Sequence, residues 1–455
     1  MTLLAFGEQV LDAVRGRSPA GMRGLPELQA ETFLAASETR SQDWSEGRPE
    51  NASITRSQGV GLRVVQGGRL GFSSTNKFDP RSLVWLGDSA VAAADYTGAE
   101  PLLELPEAGV SGPDADLDLT DEGLETGAFE ERAQFLGSIE GEVKKRDKRV
   151  AKVLRASYRE GRHESAVANH RGIRATSKGT SVSFSLACVA VDGGETQVGY
   201  GFQAVRHAAD LRQEWVIEKT VENTLALLGG KQVPSGRYDL VLDPFVAAEM
   251  LELLADALRG DQVLKGKSFL ASRIGRKVGA ASLTIVDDGR LKRGLGSSLF
   301  DAEGLPTRTT VLVQDGVLRG FLYDSASARR AGTTSTGNAG RSSYRGLPEP
   351  ETTNFFVRPG RPSPEAIIAG IDSGLYVHNV MGLHTVDTAS GDYSLGIMGE
   401  RIEKGRRTHG VRGVTIAGNL LDLLNSVEAV GDDLTFSGSL GSPTLWVRGV
   451  SVGGS

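Results

Sequence analysis

Four glycine-bearing turns, each set between runs of alternating apolar residues, constrain this chain more than any other feature. They fall at Gly67-Gly68 in GVGLRVVQGGRLGF, near Asp192-Gly193-Gly194 in SFSLACVAVDGGETQVGYGF, at Asp315-Gly316 in TTVLVQDGVLRGFLYD and at Lys404-Gly405 in GIMGERIEKGRR. Tight antiparallel hairpins need positive φ at their central residues, and glycine adopts it without a Cβ clash. Four such signals predict a β-rich chain. Helical periodicity is confined to fewer stretches: residues 208–228, 129–143 and 244–258, the last with Pro244 in its first turn. Leu3, Leu4, Phe6, Val10, Leu11 and Val14 also fit one face of a short helix. Helices and hairpins without βαβ regularity give an α+β fold.

A chain of 455 residues exceeds what one core usually serves. Gly-, Pro- and Asp-rich residues 105–123 and the stretch GGKQVPSGRYD (229–239) serve as linkers, dividing the chain into segments 1–104, 120–229 and 236–455. From Ala326 to Gly360 the sequence lacks apolar periodicity over a length unusual for a loop inside a compact domain, so it is either functional or mobile. Arg329, Arg330, Arg341 and Arg345 within it could grip carboxylates or a partner surface.

Several function classes are disfavoured. With 51 basic and 57 acidic side chains the formal charge is −6, the wrong sign for a general nucleic-acid binder. The lone cysteine, Cys188, rules out a disulfide scaffold, a Cys-based zinc knuckle and an iron–sulfur site, and suits a reducing compartment. Apolar runs fall short of a membrane span, and the first residues lack a basic region ahead of an apolar segment, so a cytoplasmic protein is expected. His163-Glu164 has Val167 where a zinc helix needs its second histidine. The segment around them, SYREGRHESAVANHRG, resembles two strands about a turn. Gly449-Val450-Ser451-Val452-Gly453 lacks the helix a nucleophile elbow requires, and Gly59-Val60-Gly61 meets Val64 where a dinucleotide loop needs glycine. KKRDKR (144–149) fits a solvated helix end or strand edge better than a nucleic-acid patch. What remains is Glu252 with Asp256, one turn apart on a helix face, and His378, His384, Asp387 and Asp392 in a Gly-rich stretch between strands.

The chain resembles the TldD/PmbA family, the modulators of DNA gyrase, and more closely its TldE (PmbA) branch. The resemblance is carried by GVGLRVVQGGRLGFSST (59–75), ANHRG (168–172), LGGKQVPSGRYDLVLDP (228–244), KSFLASRIGRKV (267–278), the Phe300-Asp301 to Thr307 and Ser335-Thr336-Gly337-Asn338-Ala339 strings, GLYVHNVMG (374–382), SGDYSLGIMGERIEKG (390–405) and VTIAGNLLDLLNSVEAVGDD (414–433). It implies an N-terminal α/β part followed by a large, strongly curved, mostly antiparallel C-terminal domain. It also implies a two-chain zinc peptidase in which a TldD-like chain carries a His-Glu-x-x-x-His helix and a late cysteine. Placed on 244–258 without gaps, those helix positions become Glu252, Leu253 and Ala257, and no late cysteine follows. Imidazole and thiolate are the ligands zinc prefers. The resemblance therefore implies a subunit with no cofactor of its own, zinc in a TldD-like partner, and an unfolded peptide or peptide precursor as substrate. The 326–360 and 376–394 segments are the expected substrate or partner contacts, through Arg329, Arg330, Thr336, Asn338, Arg341, His378, His384, Asp392 and Tyr393. Two alternatives stand beside it: an autonomous hydrolase built from Glu252, Asp256, His378 and His384, and a gyrase- or DNA-related binding module.

Overall fold

The computed structural model of the chain describes residues 2–15, 27–109, 116–126 and 128–455. The amphipathic helix α1 (Leu3–Val14) leads into β1 (Gln29–Ser45), β2 (Arg48–Gln66), β3 (Arg69–Thr75) and α2 (Pro80–Ala94). Short helices α3 (Glu122–Thr126), α4 (Phe129–Ala133) and α5 (Ile139–Arg146) precede β4 (Val150–Asn169), β5 (Arg174–Asp192), β6 (Glu195–Val205) and α6 (Gln213–Ala226). All six strands form one antiparallel sheet of order β3-β2-β1-β4-β5-β6. Because β1 pairs with β4 from Glu31↔Asn169 to Trp44↔Ala156, the two sequence segments on either side of the 105–123 linker are halves of a single sheet. Residues 110–115 of that linker lie outside the described residues.

Side-chain alternation assigns the sheet two unlike faces. Leu34, Val60, Leu62, Ala166 and their neighbours bury against α1 and α2. Tyr158, Val182, Phe184, Leu186 and Cys188 bury against α4, α5 and α6. The opposite face packs apolar side chains against the C-terminal domain near Phe33, Val167 and Ile173, where Tyr344 sits.

The C-terminal domain contains β7 (Gly236–Leu242), α7 (Pro244–Ala257), α8 (Gly260–Leu264), β8 (Ile285–Asp288), β9 (Thr309–Gln314), β10 (Val317–Leu318), α9 (Ser325–Arg330), β11 (Ala339–Gly340), β12 (Glu349–Pro350), β13 (Phe355–Val357) and α10 (Pro364–Ala369). It continues with β14 (Ser373–Met381), β15 (Asp392–Glu403), β16 (Arg406–Asn419), α11 (Leu420–Asn425), β17 (Val427–Val430), β18 (Thr435–Ser437), β19 (Leu440–Ser442) and β20 (Leu445–Gly453). One sheet runs β16-β15-β14-β7-β20-β17, and an added β16–β20 pairing closes it into a barrel. A second runs β10-β9-β8-β13-β19-β18. Helix α7 sits between them, burying Met250, Leu251 and Leu254 among Leu283, Val357, Leu420 and Leu445.

The fold is α+β, as expected, and the four expected hairpins form. Each has two central residues at positive φ: Gly67 and Gly68, Gly193 and Gly194, Asp315 and Gly316, Lys404 and Gly405. A fifth, Glu46-Gly47 between β1 and β2, has the same geometry. Two expectations are corrected. SYREGRHESAVANHRG does not fold as two strands about a turn; its first thirteen residues, 157–169, lie within the single strand β4, and the chain turns only after Asn169. At Gly161, within that strand, a Cβ would lie 2.6 Å from Ser181 Oγ on β5. The helix expected over 129–143 is broken into α4, a 3-10 turn at Gln134–Gly137, and α5. Among the described residues no helix is long and apolar enough to cross a membrane.

Candidate functional site

Helix α7 begins at Asp243, whose side chain accepts from Phe245 N at 3.1 Å and so caps an otherwise unsatisfied donor. Its apolar stripe enters the core, which leaves Glu249, Glu252 and Asp256 on the solvent side. Partial burial, then the Glu252 and Asp243 carboxylates, push Glu249 above the ordinary carboxylate range. Asp256 pairs with Arg259 at 3.5 Å. Leu253 packs on the core and Ala257 is fully buried, so the three positions aligned with the family's metal helix do not converge on one point. Among the described residues no three His, Cys, Asp or Glu side chains gather where they could hold a metal. Cys188 lies in β5 with its thiol hydrogen-bonded to Thr224 at 3.2 Å, and burial pushes that thiol up. An all-carboxylate row on one helix does not fit zinc, which takes imidazole and thiolate.

The histidines expected to act together are separate. His378, on β14, is buried, holds Glu400 through Nε2 at 2.7 Å and lies 4.7 Å from the Tyr376 ring. Its Nδ1 has no hydrogen-bond partner among the described residues. Arg407 joins Glu400 at 3.2 Å to Glu222 of α6 at 2.9 Å, and Lys219 reaches Glu222 at 3.1 Å. Tyr376 donates to Asp243 at 2.9 Å; burial, then the Asp243 charge, hold its phenol far above the usual value. Lys219, Glu222, Asp243, Tyr376 and Arg407 edge a cleft of about 530 Å3 with Trp215 and Phe245. His384, by contrast, is exposed in the turn Leu383–Thr385. Asp387 accepts from Ala389 N at 2.8 Å, and Asp392 from Asn419 Nδ2 at 2.8 Å and Ser390 Oγ at 2.9 Å. Tyr393 is a core residue whose burial pushes its phenol up to about 12.

The segment from Ala326 to Gly360 is a strap between domains, fixed by α9, β11, β12 and β13. Arg329 donates to the carbonyls of Leu102 at 3.0 Å and Glu104, and Arg330 pairs with Glu100. Thr336 Oγ1 accepts from Tyr323 N at 2.8 Å, while Asn338 Nδ2 donates to Asp287 at 2.6 Å and to the Glu351 carbonyl at 3.1 Å. Arg345 lies 5.3 Å over the Tyr344 ring. Arg341 is fully buried; it pairs with Glu31 of β1 and donates to the carbonyls of Ala302 at 3.2 Å and Gly346 at 3.1 Å. Arg63 of β2 bridges Glu31 at 2.8 Å and Glu303 at 2.9 Å, all three buried. Glu303 also accepts from Ser325 N at 2.8 Å and Ser325 Oγ at 2.7 Å. Burial alone would raise Glu303, but Arg63 and the Ser325 donors outweigh it and hold its carboxyl below the usual range. Burial, then Glu303, pushes neighbouring Asp301 upward. The strap arginines are therefore engaged within the chain.

Beyond that joint, the sheet face opposite the helices is open. The register places Ser37, Thr39 and Ser41 of β1, Ser57, Thr55 and Ser53 of β2, Gly161 and His163 of β4, and Gly179, Ser181, Ser183 and Ser185 of β5 on it. Over these strands hydroxyls and glycines, with His163 and Arg159, replace the apolar residues of the covered face, while β6 adds Tyr200 and Phe202. On the other, helix-bearing face a groove of about 580 Å3 is lined by the charged side chains of Glu38, Arg56, Arg162, Glu164 and Lys178. A second cavity of about 290 Å3 lies at the domain joint, lined by His163, Ser177, Arg206, Ser298, Asn338 and Arg341 among others. Neither Arg206 nor the hydroxyl-bearing face was singled out from the sequence. The alternation S-V-S-F-S-L over 181–186, with hydroxyls at every outward position, is the signal that could have found the face.

The sequence matches the PmbA/TldA metallopeptidase family over three stretches: domain 1 over residues 30–94, the central domain over 128–228 and the C-terminal domain over 235–454. It is 29% identical over 403 residues to the metalloprotease TldD homolog of Buchnera aphidicola, covering 84% of this chain and 81% of that protein. It is 28% identical over 397 residues to metalloprotease PmbA of Escherichia coli O157:H7, covering 85% and 84%. The crystal structure of TldE from Thermococcus kodakarensis superposes with a TM-score of 0.85 at 22% identity, covering 99% of both chains.

Proposed function

This chain belongs to the PmbA/TldD metallopeptidase family, and from that premise we propose that it is the metal-free, TldE-like subunit of a two-chain zinc peptidase. Its partner is a TldD-like paralogue that holds the zinc, and its substrate is an unfolded peptide or peptide precursor. The observation that carries this reading is α7: where a catalytic relative needs histidines, this helix offers outward carboxylates at 249, 252 and 256 and a buried methyl at 257. A carboxylate row neither retains zinc nor lowers the pKa of a bound water as a zinc centre does. The contribution of such a chain is shape. Its open, hydroxyl-lined sheet face can wall a chamber that admits extended chains and excludes folded ones.

The test is to purify the chain alone and with a His-Glu-x-x-x-His paralogue from the same genome, then measure metal content, assembly and peptide cleavage. The expected result is a stable pair that cuts unfolded peptide, with zinc bound to the paralogue. Stoichiometric zinc in the lone chain, together with cleavage, would end the proposal.

A further inference from the structure

Arg206 follows β6 and is buried at 3% exposure. Its guanidinium donates to four backbone carbonyls: Nε to Gly294 at 3.1 Å, Nη1 to Thr180 at 3.1 Å, and Nη2 to Leu295 at 2.5 Å and Ser297 at 3.2 Å. Carbonyls satisfy donors without cancelling charge. No carboxylate lies within ion-pair distance of it among the described residues, although the other buried arginines at this joint, Arg63 and Arg341, each have one. A buried cation without a counter-ion is costly, and burial accordingly pulls Arg206 down to about 10.

The geometry around it suits a ligand. Arg206 lines the joint cavity, and the two oxygens of Asp301, an acidic group there, already accept from the backbone N–H groups of Glu303 at 2.9 Å, Leu305 at 3.0 Å and Ala339 at 3.2 Å. The other, Glu351, is exposed. Gly179 keeps the approach clear: a Cβ there would lie 2.5 Å from His163 Cε1 and 2.6 Å from Arg206 Nη1. The sheet residues that line this cavity, His163, Ser165 and Ser177, share a face with Ser37, Gly179 and Ser181, so the cavity adjoins the hydroxyl-bearing sheet face. One uncompensated positive charge matches a monoanion, and a cavity at the edge of an open polar sheet face matches an anion at the end of a chain.

We propose that the cavity beside Arg206 binds the terminal carboxylate of an extended peptide whose preceding residues lie along the adjoining hydroxyl-bearing sheet face. Charge complementarity sets the anchor, and the Ser, Thr and Gly lining leaves side-chain identity unread. The choice of a peptide over a free acid rests on the function proposed above; the carboxylate site does not.

Isothermal titration of the purified full chain, without partner or zinc, tests it with three probes: N-acetyl-trialanine, its C-terminal carboxamide and acetate. The peptide acid is expected to bind about tenfold or more tightly than the carboxamide, the difference one charge-assisted hydrogen bond makes. Arg206→Gln should erase that preference. Because Arg206 also ties the two domains, Gly179→Val is the companion variant, which keeps the arginine's charge while crowding its guanidinium and the His163 ring, and should have the same effect. Equal binding of acid and carboxamide by the unaltered chain, or no binding of either, overturns the site. Acetate binding as tightly as the peptide acid overturns the peptide assignment. Lone-chain zinc and cleavage would defeat the subunit reading while leaving this result standing.

Discussion

Replacing Arg63 with Met probes how the two domains are held together. Arg63 serves two buried carboxylates, Glu31 and Glu303. Methionine conserves much of the volume but leaves Glu303 without a cation, since Glu31 keeps Arg341 and Glu303 keeps only the Ser325 donors. Stranding one member of a buried pair costs ~3–5 kcal/mol, and that is the loss expected in urea unfolding near neutral pH. The pH dependence supplies a second check. In the unaltered chain Glu303 lies below its ordinary 4.5, so its contribution is present above that value and is lost as pH falls through the lower folded one. In the variant, burial without the cation raises Glu303 above 4.5, so the destabilisation is full at neutral pH and fades as the group takes up a proton. The stability gap should therefore narrow from about pH 7 to about pH 4. Adding Glu303→Gln should recover part of the loss at neutral pH, because a neutral amide removes the stranded charge. A gap below ~1 kcal/mol at neutral pH, the scale of an exposed ion pair, or one that stays constant on acidification, would refute the reasoning.

Other outcomes follow from the same structure. Tyr376→Phe removes the donor to Asp243 at the start of α7 and should cost about 1–2 kcal/mol in chemical denaturation; an unchanged midpoint would show that the bond contributes nothing. Gly316→Val places a β-branched residue at φ +76 with its Cβ 2.6 Å from the Ala280 carbonyl oxygen, and should lower stability by about 2 kcal/mol or more, measured by thermal melting. Glu252→Ala combined with Asp256→Ala should change stability by less than about 0.5 kcal/mol and leave cleavage by the assembled pair intact. A large fall in that activity would restore a catalytic role to α7.

The hairpins were legible because positive φ leaves a mark on composition: four of the five turns carry glycine between apolar runs. The fifth, Glu46-Gly47, went unread because Arg48 to Gln58 of β2 is exposed throughout, so no apolar alternation flags the strand. Gly161 lies within the single strand β4, since glycine serves close strand approach as well as reversal. The strap from 326 to 360 has no periodicity because its order comes from long-range partners: Glu100, Leu102, Glu104 and Glu31 for its arginines, Asp287 for Asn338. Residue type advertised those side chains as free grips; only the fold reveals that their partners lie in the same molecule. Arg206 was invisible for a related reason, because the absence of a counter-ion is a property of three-dimensional neighbours and not of spacing.

The β1–β4 ladder has a bearing on how such chains can be shuffled. A chimaera spliced within 105–123 would force strands of one lineage to register against those of another along the whole middle of the sheet. A crossover near 229–235 cuts no strand ladder of that sheet, whose last strand, β6, ends at Val205. The heritable module is therefore the entire six-stranded sheet with its helices, and grafting experiments that exchange it whole stand the best chance of yielding folded hybrids.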